Sequence, residues 1–146
     1  MKAEQYGSAG AYRRERHRRF LKSGGSVKKI AFSTTGQTLG AELDPRFGRS
    51  IHFLIYDLEL ESTQLLDNQQ SRNAAQGAGI QAAEIIVRAG ADTLVTGHCG
   101  PKAFRVLDAA GIAVYNCAAP TVGEALIALR SGSLSPASSA DVEGHW

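Results

Sequence analysis

The sequence predicts an α/β fold: a mixed five-stranded sheet in the order 3-2-1-4-5, its second strand antiparallel, with helices on both faces. Three observations carry the expectation. Hydrophobic spacing changes from short apolar runs before Asn73 to helical spacing after it. Two adjacent strand-like segments with a tight turn between them precede a strict alternation of helix and strand, the pattern of a sheet with parallel crossovers. Glycines stand where helical patterns stop, at Gly90 and Gly111.

Each element has its own justification. VKKIAFST, from Val27, has an apolar centre suited to a buried strand, and TGQTLGAELDPRFGRS after it is a glycine-punctuated loop. IHFLIYDLE reads as a second strand and STQLLDNQ as a third, joined by a turn near Glu59–Glu61 into a hairpin. NAAQGAGIQAAEIIVRAG places Ala75, Ile80, Ala83, Ile86 and Val87 on one helical face. ADTLVTG is a fourth strand. GPKAFRVLDAAG is a helix with Pro101 in its first turn and Ala103, Phe104 and Leu107 facing inward. IAVYNCA is a fifth strand. APTVGEALIALRSGSL opens on Thr121 as N-cap, with Glu124 three residues on, and buries Val122, Ala125, Leu126 and Leu129.

Right-handed crossovers put the fourth strand beside the first and the fifth outside it, leaving the hairpin on the other flank. The strand order then reverses between strands one and four, and ligands of open α/β sheets bind at the carboxyl ends of strands flanking such a point. Those ends are Ser33–Gly36, with the DPRFGRS loop, and Gly97–Cys99.

Composition bounds the function. A chain of 146 residues with 43% hydrophobic and 21% charged residues suits one soluble domain. No apolar run approaches the roughly 20 residues that span a bilayer, and the arginine-rich start lacks the apolar segment of a secretory signal. Two cysteines, Cys99 and Cys117, argue against a disulfide framework and for a cytoplasmic location. The net charge of +2 divides unevenly: residues 1–29 hold nine Lys/Arg against two Glu, and residues 30–146 hold seven against twelve acids. Residues 1–26 are therefore expected to form a basic, disordered or weakly helical extension, with Val27 as the native start. The arginine run would suit nucleic acid or an acidic surface only weakly. Residues 27–134 form the domain, and 135–146 are expected to be a loose tail.

The stretch VTGHCGPK carries the chemistry. Cys99 is a soft ligand type for iron, copper or a cluster edge, and His98 beside it can join if the flanking glycines let the backbone turn. The other reading is a turn whose His and Cys merely pack. Pro101 starts a helix whose dipole is expected to lower the Cys99 pKa. Gly97, Gly100 and Lys102 suit an anion at that helix N-terminus. Cys117 either faces Cys99 across neighbouring loops or packs in the core; His52 either ligates across the switch point or is a strand-end histidine. Arg46 and Arg49, flanking Phe47 and Gly48, either hold an anion or pair with Asp44 and Glu42. There is no CxxC or HxxxH for a zinc site and no Walker A loop; Gly77 and Gly79 fall inside a helix without a dinucleotide pattern. A Cys–His nucleophile lacks an orienting third residue, and KKIAFST lacks the carboxylates of a two-metal nuclease. The chain is not expected to be an enzyme.

The succession DPRFGRS with FLIYD, TGHCGPKAFRVLDAAGIAVY and PTVGEALIALRSGSL resembles the dinitrogenase iron–molybdenum cofactor biosynthesis family over Val27–Leu134. That family includes NifX- and NafY-type carriers, the C-terminal domain of the NifB type and the orange protein. The resemblance implies a ribonuclease-H-like three-layer fold. It also implies a non-catalytic carrier that stores or delivers a metal–sulfur cluster, whether iron–molybdenum-cofactor-like, iron–sulfur or molybdenum–copper sulfide. A donor or acceptor protein would be the partner, with the carrier a monomer or homodimer. Arg46, Phe47, Gly48, Arg49, Gly97, Gly100 and Lys102 would hold the cluster, with Cys99 and His98 as ligands. Members often carry histidine where this chain has Arg46; a guanidinium cannot ligate a metal but does attract an anion. The alternative is a metal-free regulatory or scaffold domain binding a partner segment or small anion in the same cleft.

Overall fold

A computed structural model describes residues 27–138; the expectations for 1–26 and for 139–146 lie outside the described residues. The elements are β1 (Lys29–Thr34), β2 (His52–Asp57), β3 (Ser62–Asp67), α1 (Gln69–Arg72), α2 (Ala78–Arg88), β4 (Thr93–Thr96), α3 (Pro101–Ala109), β5 (Ala113–Asn116) and α4 (Val122–Arg130). The sheet runs β3-β2-β1-β4-β5, as the sequence predicts. β2 is antiparallel to β1, with His52 opposite Thr34, and β3 is antiparallel to β2, while β1/β4 and β4/β5 are parallel.

The central strands read as continuous apolar runs because both faces of the sheet are covered. Ala31, Phe53, Ile55, Leu94 and Val114 face α2 and α3, meeting Ala82, Ala83, Ile86, Ala103, Phe104 and Leu107. Ile30, Phe32, Leu54, Tyr56, Val95 and Tyr115 face α4, meeting Val122, Ala125, Leu126 and Leu129. Alternate residues of one strand thus feed two separate cores.

The punctuation works as expected. Gly90 and Gly111 both take φ of 80° just past their helices, a conformation that costs glycine little. Thr121 Oγ1 accepts the Glu124 N–H at 3.1 Å. The hairpin closes through Asp57, whose Oδ1 accepts the N–H groups of Glu59 and Leu60, both at 2.9 Å.

Two segments differ from expectation. The helical pattern after Asn73 does not begin there: α1 is a separate turn, and Gly77, at φ 77°, is the N-cap of α2. Ala75 precedes the helix and Val87 is 39% exposed; Ala78 and Ala82 take their places against the sheet. The expected loose tail is also ordered at its start. Pro136 bridges Tyr115, the Ala137 N–H donates to the Val114 carbonyl at 2.7 Å, and Ala137 is buried, so residues 136–137 cover the β5 edge.

Candidate functional site

The carboxyl ends of β1 and β4 are tied by Ser33 Oγ and Thr96 Oγ1 at 2.7 Å. Ser33 also holds the loop that crosses above them: its Oγ donates to the Asp44 carbonyl at 2.7 Å, and its own carbonyl accepts the Asp44 N–H at 2.8 Å. From there the loop runs alongside the chain leaving β4. The His98 N–H donates to the Pro45 carbonyl at 2.7 Å and the Phe47 N–H to the His98 carbonyl at 3.1 Å, making a parallel bridge between Arg46 and His98. Gly97 is required for this approach, because a Cβ there would lie 2.6 Å from both the Cα and the carbonyl oxygen of Pro45. The bridge divides the mouth of the sheet into two clefts.

The first cleft, of about 620 Å³, lies on the α2/α3 side. Phe47 and Gly48 form one wall, residues 76–80 at the start of α2 a second, and residues 100–103 at the start of α3 a third. Glycines bring these walls together: a Cβ on Gly48 would sit 2.9 Å from the Gly79 nitrogen, and one on Gly79 would sit 3.2 Å from Ala103 Cβ. Phe47 is buried beneath the loop, its ring centroid 5.3 Å from that of Phe53.

Both helices present bare N-termini to this cleft. Their N-caps are Gly77 and Gly100, no side chain caps either one, and neither has an acidic residue in its first turn. α4 is the contrast, since Thr121 accepts the Glu124 N–H and the N–H groups of Val122 and Gly123 donate to the carbonyls of Ala41 and Leu39. Each bare helix end carries about half a positive charge, and Lys102 adds a full one. Among the described residues, the lining contains no Asp, Glu, Cys or His. Such a site attracts a compact anion and holds it by N–H groups, not by coordination.

The second cleft, of about 470 Å³, lies across the bridge toward α4. Pro45, Gly97 and His98 line one side, and Asn116, Cys117 and residues 118–119 the other.

The residues singled out from sequence are thereby separated. Phe47, Gly48, Gly100 and Lys102 line the first cleft, and Gly97, His98 and Cys117 the second. Cys99 lines neither: its side chain is sealed in the core under α2 and α3, and burial pushes its thiol up to about 12. The expectation of a thiol activated by the helix dipole is overturned, because desolvation of the thiolate outweighs the dipole. His98 is exposed while Cys99 is buried, so adjacent side chains do point opposite ways. Cys117 packs toward the α4 core and Cys99 toward the other, so the two cysteines do not converge.

Arg46 is exposed over 64% of its side chain, with Nε 3.7 Å from Asp44 Oδ1, which also accepts its backbone N–H at 3.0 Å. Arg49 reaches away along the chain: its guanidinium donates to the carbonyls of Arg72 at 2.7 Å and Ala74 at 2.8 Å, tethering the segment that leads into α2. His52 is half-buried at the start of β2 between Thr34 and Asp67. The residues missed from sequence are those at the start of α2. The one available signal was the pair Gly77 and Gly79, which suits a helix start better than a helix interior.

A family model for the dinitrogenase iron–molybdenum cofactor matches residues 28–132. The chain belongs to that family. This member is 36% identical to the apo orange protein of Desulfovibrio gigas, with a TM-score of 0.75 over 78% of this chain and 96% of that one. It is 31% identical to a NifB-like protein of Thermotoga, with a TM-score of 0.67 over 75% of this chain and 92% of the other. An uncharacterized protein of Methanocaldococcus jannaschii is 30% identical over 95 residues, 63% of this chain and 80% of its own length. Membership accounts for the shared fold, and no helix among the described residues is long and apolar enough to cross a membrane.

Proposed function

We propose that this family member binds an anionic metal–sulfur cluster as cargo, in the cytoplasm, and stores or hands it on to a partner protein without catalysing a reaction. One observation carries the reading: two uncapped helix N-termini and Lys102 face one cleft whose lining, among the described residues, has no acidic side chain. Kinship with the orange protein and a NifB-like protein supports a cluster as the anion. The cleft fits a cluster held from outside, by N–H groups and a cation against the apolar walls of Phe47, Ala78 and Ile80. Cargo held this way leaves without breaking a protein–metal bond, which suits delivery. The exposed Arg46 would add positive potential at the approach, and Arg49 would act indirectly by fixing the rim before α2.

Anaerobic reconstitution with iron, sulfide and molybdate, followed by gel filtration, tests the reading through absorbance and metal per chain. The parent protein is expected to retain a coloured cluster, more weakly as salt rises. Lys102→Glu should weaken retention by about tenfold or more, on the order of 1.4 kcal/mol. Equal loading of a folded Lys102→Glu protein would remove the cleft from the function. A parent that retains no cluster, but whose amides at 78–80 and 102–103 shift with inorganic phosphate, would instead be a metal-free anion-binding domain.

A further inference from the structure

The second cleft has the opposite chemistry. We propose that it is a cation site, taking one soft monovalent metal ion such as Cu(I) between Cys117 Sγ and the imidazole of His98. The inference does not rest on the cluster reading, because the Arg46–His98 bridge separates the two clefts.

Backbone pairing brings the two residues to one cleft. Thr96 is opposite Asn116, and the Cys117 N–H donates to the Thr96 carbonyl at 2.9 Å, which sets Cys117 beside Gly97 and one residue from His98. Cys117 is a free, half-buried thiol, and the Ala119 N–H donates to its sulfur at 3.4 Å, fixing one side of the atom. Asn116 lines the same cleft, and its buried Oδ1 accepts no hydrogen bond among the described residues. A buried carbonyl oxygen without a donor is costly, and a ligand that supplies one relieves it. Imidazoles bound to metals ordinarily donate their second ring N–H to such an oxygen.

Ligand count selects the ion. Among the described residues no three His, Cys, Asp or Glu side chains come together as a metal site, so a four-ligand zinc centre is not built here. One thiolate and one imidazole suit a soft d¹⁰ monovalent cation, which is stable with two ligands. Charge agrees: binding releases the Cys117 proton to solvent, and thiolate plus monovalent cation is neutral overall, which the apolar walls of Leu43 and residues 118–119 tolerate. No electron transfer is involved.

The test is anaerobic titration of the full chain with Cu(I) in competition with the chelator bicinchoninate. One ion per chain is expected. Cys117→Ser should abolish competitive binding, and His98→Ala and Asn116→Ala should each weaken it by roughly 10–100-fold. Alkylation with iodoacetamide, read by mass spectrometry on the unmutated protein, guards against a variant that fails to fold: stoichiometric Cu(I) should protect Cys117. Unchanged binding in folded Cys117→Ser, or alkylation of Cys117 undiminished by Cu(I), would overturn the proposal.

Discussion

Two clefts open at the same end of the sheet, one on each side of a single backbone bridge, yet they are made of different material. The α2/α3 cleft is walled by glycines, alanines and helix ends, and its charge comes from peptide dipoles and one lysine. The cleft beside β5 draws on side-chain atoms: a thiol, an imidazole and an amide oxygen. The difference follows from how the chain arrives. Helices that start at the sheet's carboxyl edge bring N–H groups there, whereas a strand that ends there brings its last side chains. One edge therefore offers an electropositive pocket and a donor-rich one without any residue serving both.

The common element, the Arg46–His98 bridge, is where the comparison breaks most severely. Gly97→Val would press a branched side chain into the Pro45 backbone, which lies 2.6 Å from even the first added carbon. The expected cost is about 3 kcal/mol or more in urea unfolding, with both clefts lost together. Loss of only one binding function would show that the bridge is not shared. Gly48→Ala is the sharper probe, since its Cβ would meet the Gly79 nitrogen at 2.9 Å on one side of the bridge alone. A cost of about 1–2 kcal/mol is expected, with weakened cluster retention and Cu(I) binding at the β5 cleft unchanged.

The smallest effect concerns the two thiols. Cys117 should be alkylated in the native protein, whereas Cys99, 1% exposed, should react only as the chain unfolds. Equal labelling of both would contradict the sealed position of Cys99. The same burial predicts a slope in alkali. The folded thiol holds its proton up to about 12, against 9.0 for an ordinary thiol. The unfolded chain therefore ionises first, so the stability associated with the neutral thiol is intact below about pH 9 and is lost as pH rises toward 12. Cys99→Ala should lower stability at neutral pH but flatten that slope, measurable by urea midpoints at pH 8, 9 and 10.

How much of this was legible beforehand varies with the distance over which the cause acts. Strand runs, the hairpin turn and the glycine stops at Gly90 and Gly111 are local, and period and turn chemistry report them directly. The order 3-2-1-4-5 needed only the sequence of elements and the handedness of crossovers. Those rules also locate the switch point, and with it the loop 44–50 and the residues 97–102. The sequence by itself thus determined the layers, the sheet order, the family and the edge at which binding is expected. It did not determine what faces what. Whether Cys99 meets solvent or core, whether Arg49 reaches an anion or the carbonyls of Arg72 and Ala74, and whether Gly77 opens a helix or lies within one all depended on segments far apart in the chain. Only the tertiary structure brought Gly48 to Gly79 and Pro45 to Gly97. Those approaches are steric, so close that a Cβ on Gly48 or Gly97 would come within 3 Å of backbone more than 30 residues away, and residue spacing along one segment cannot encode them.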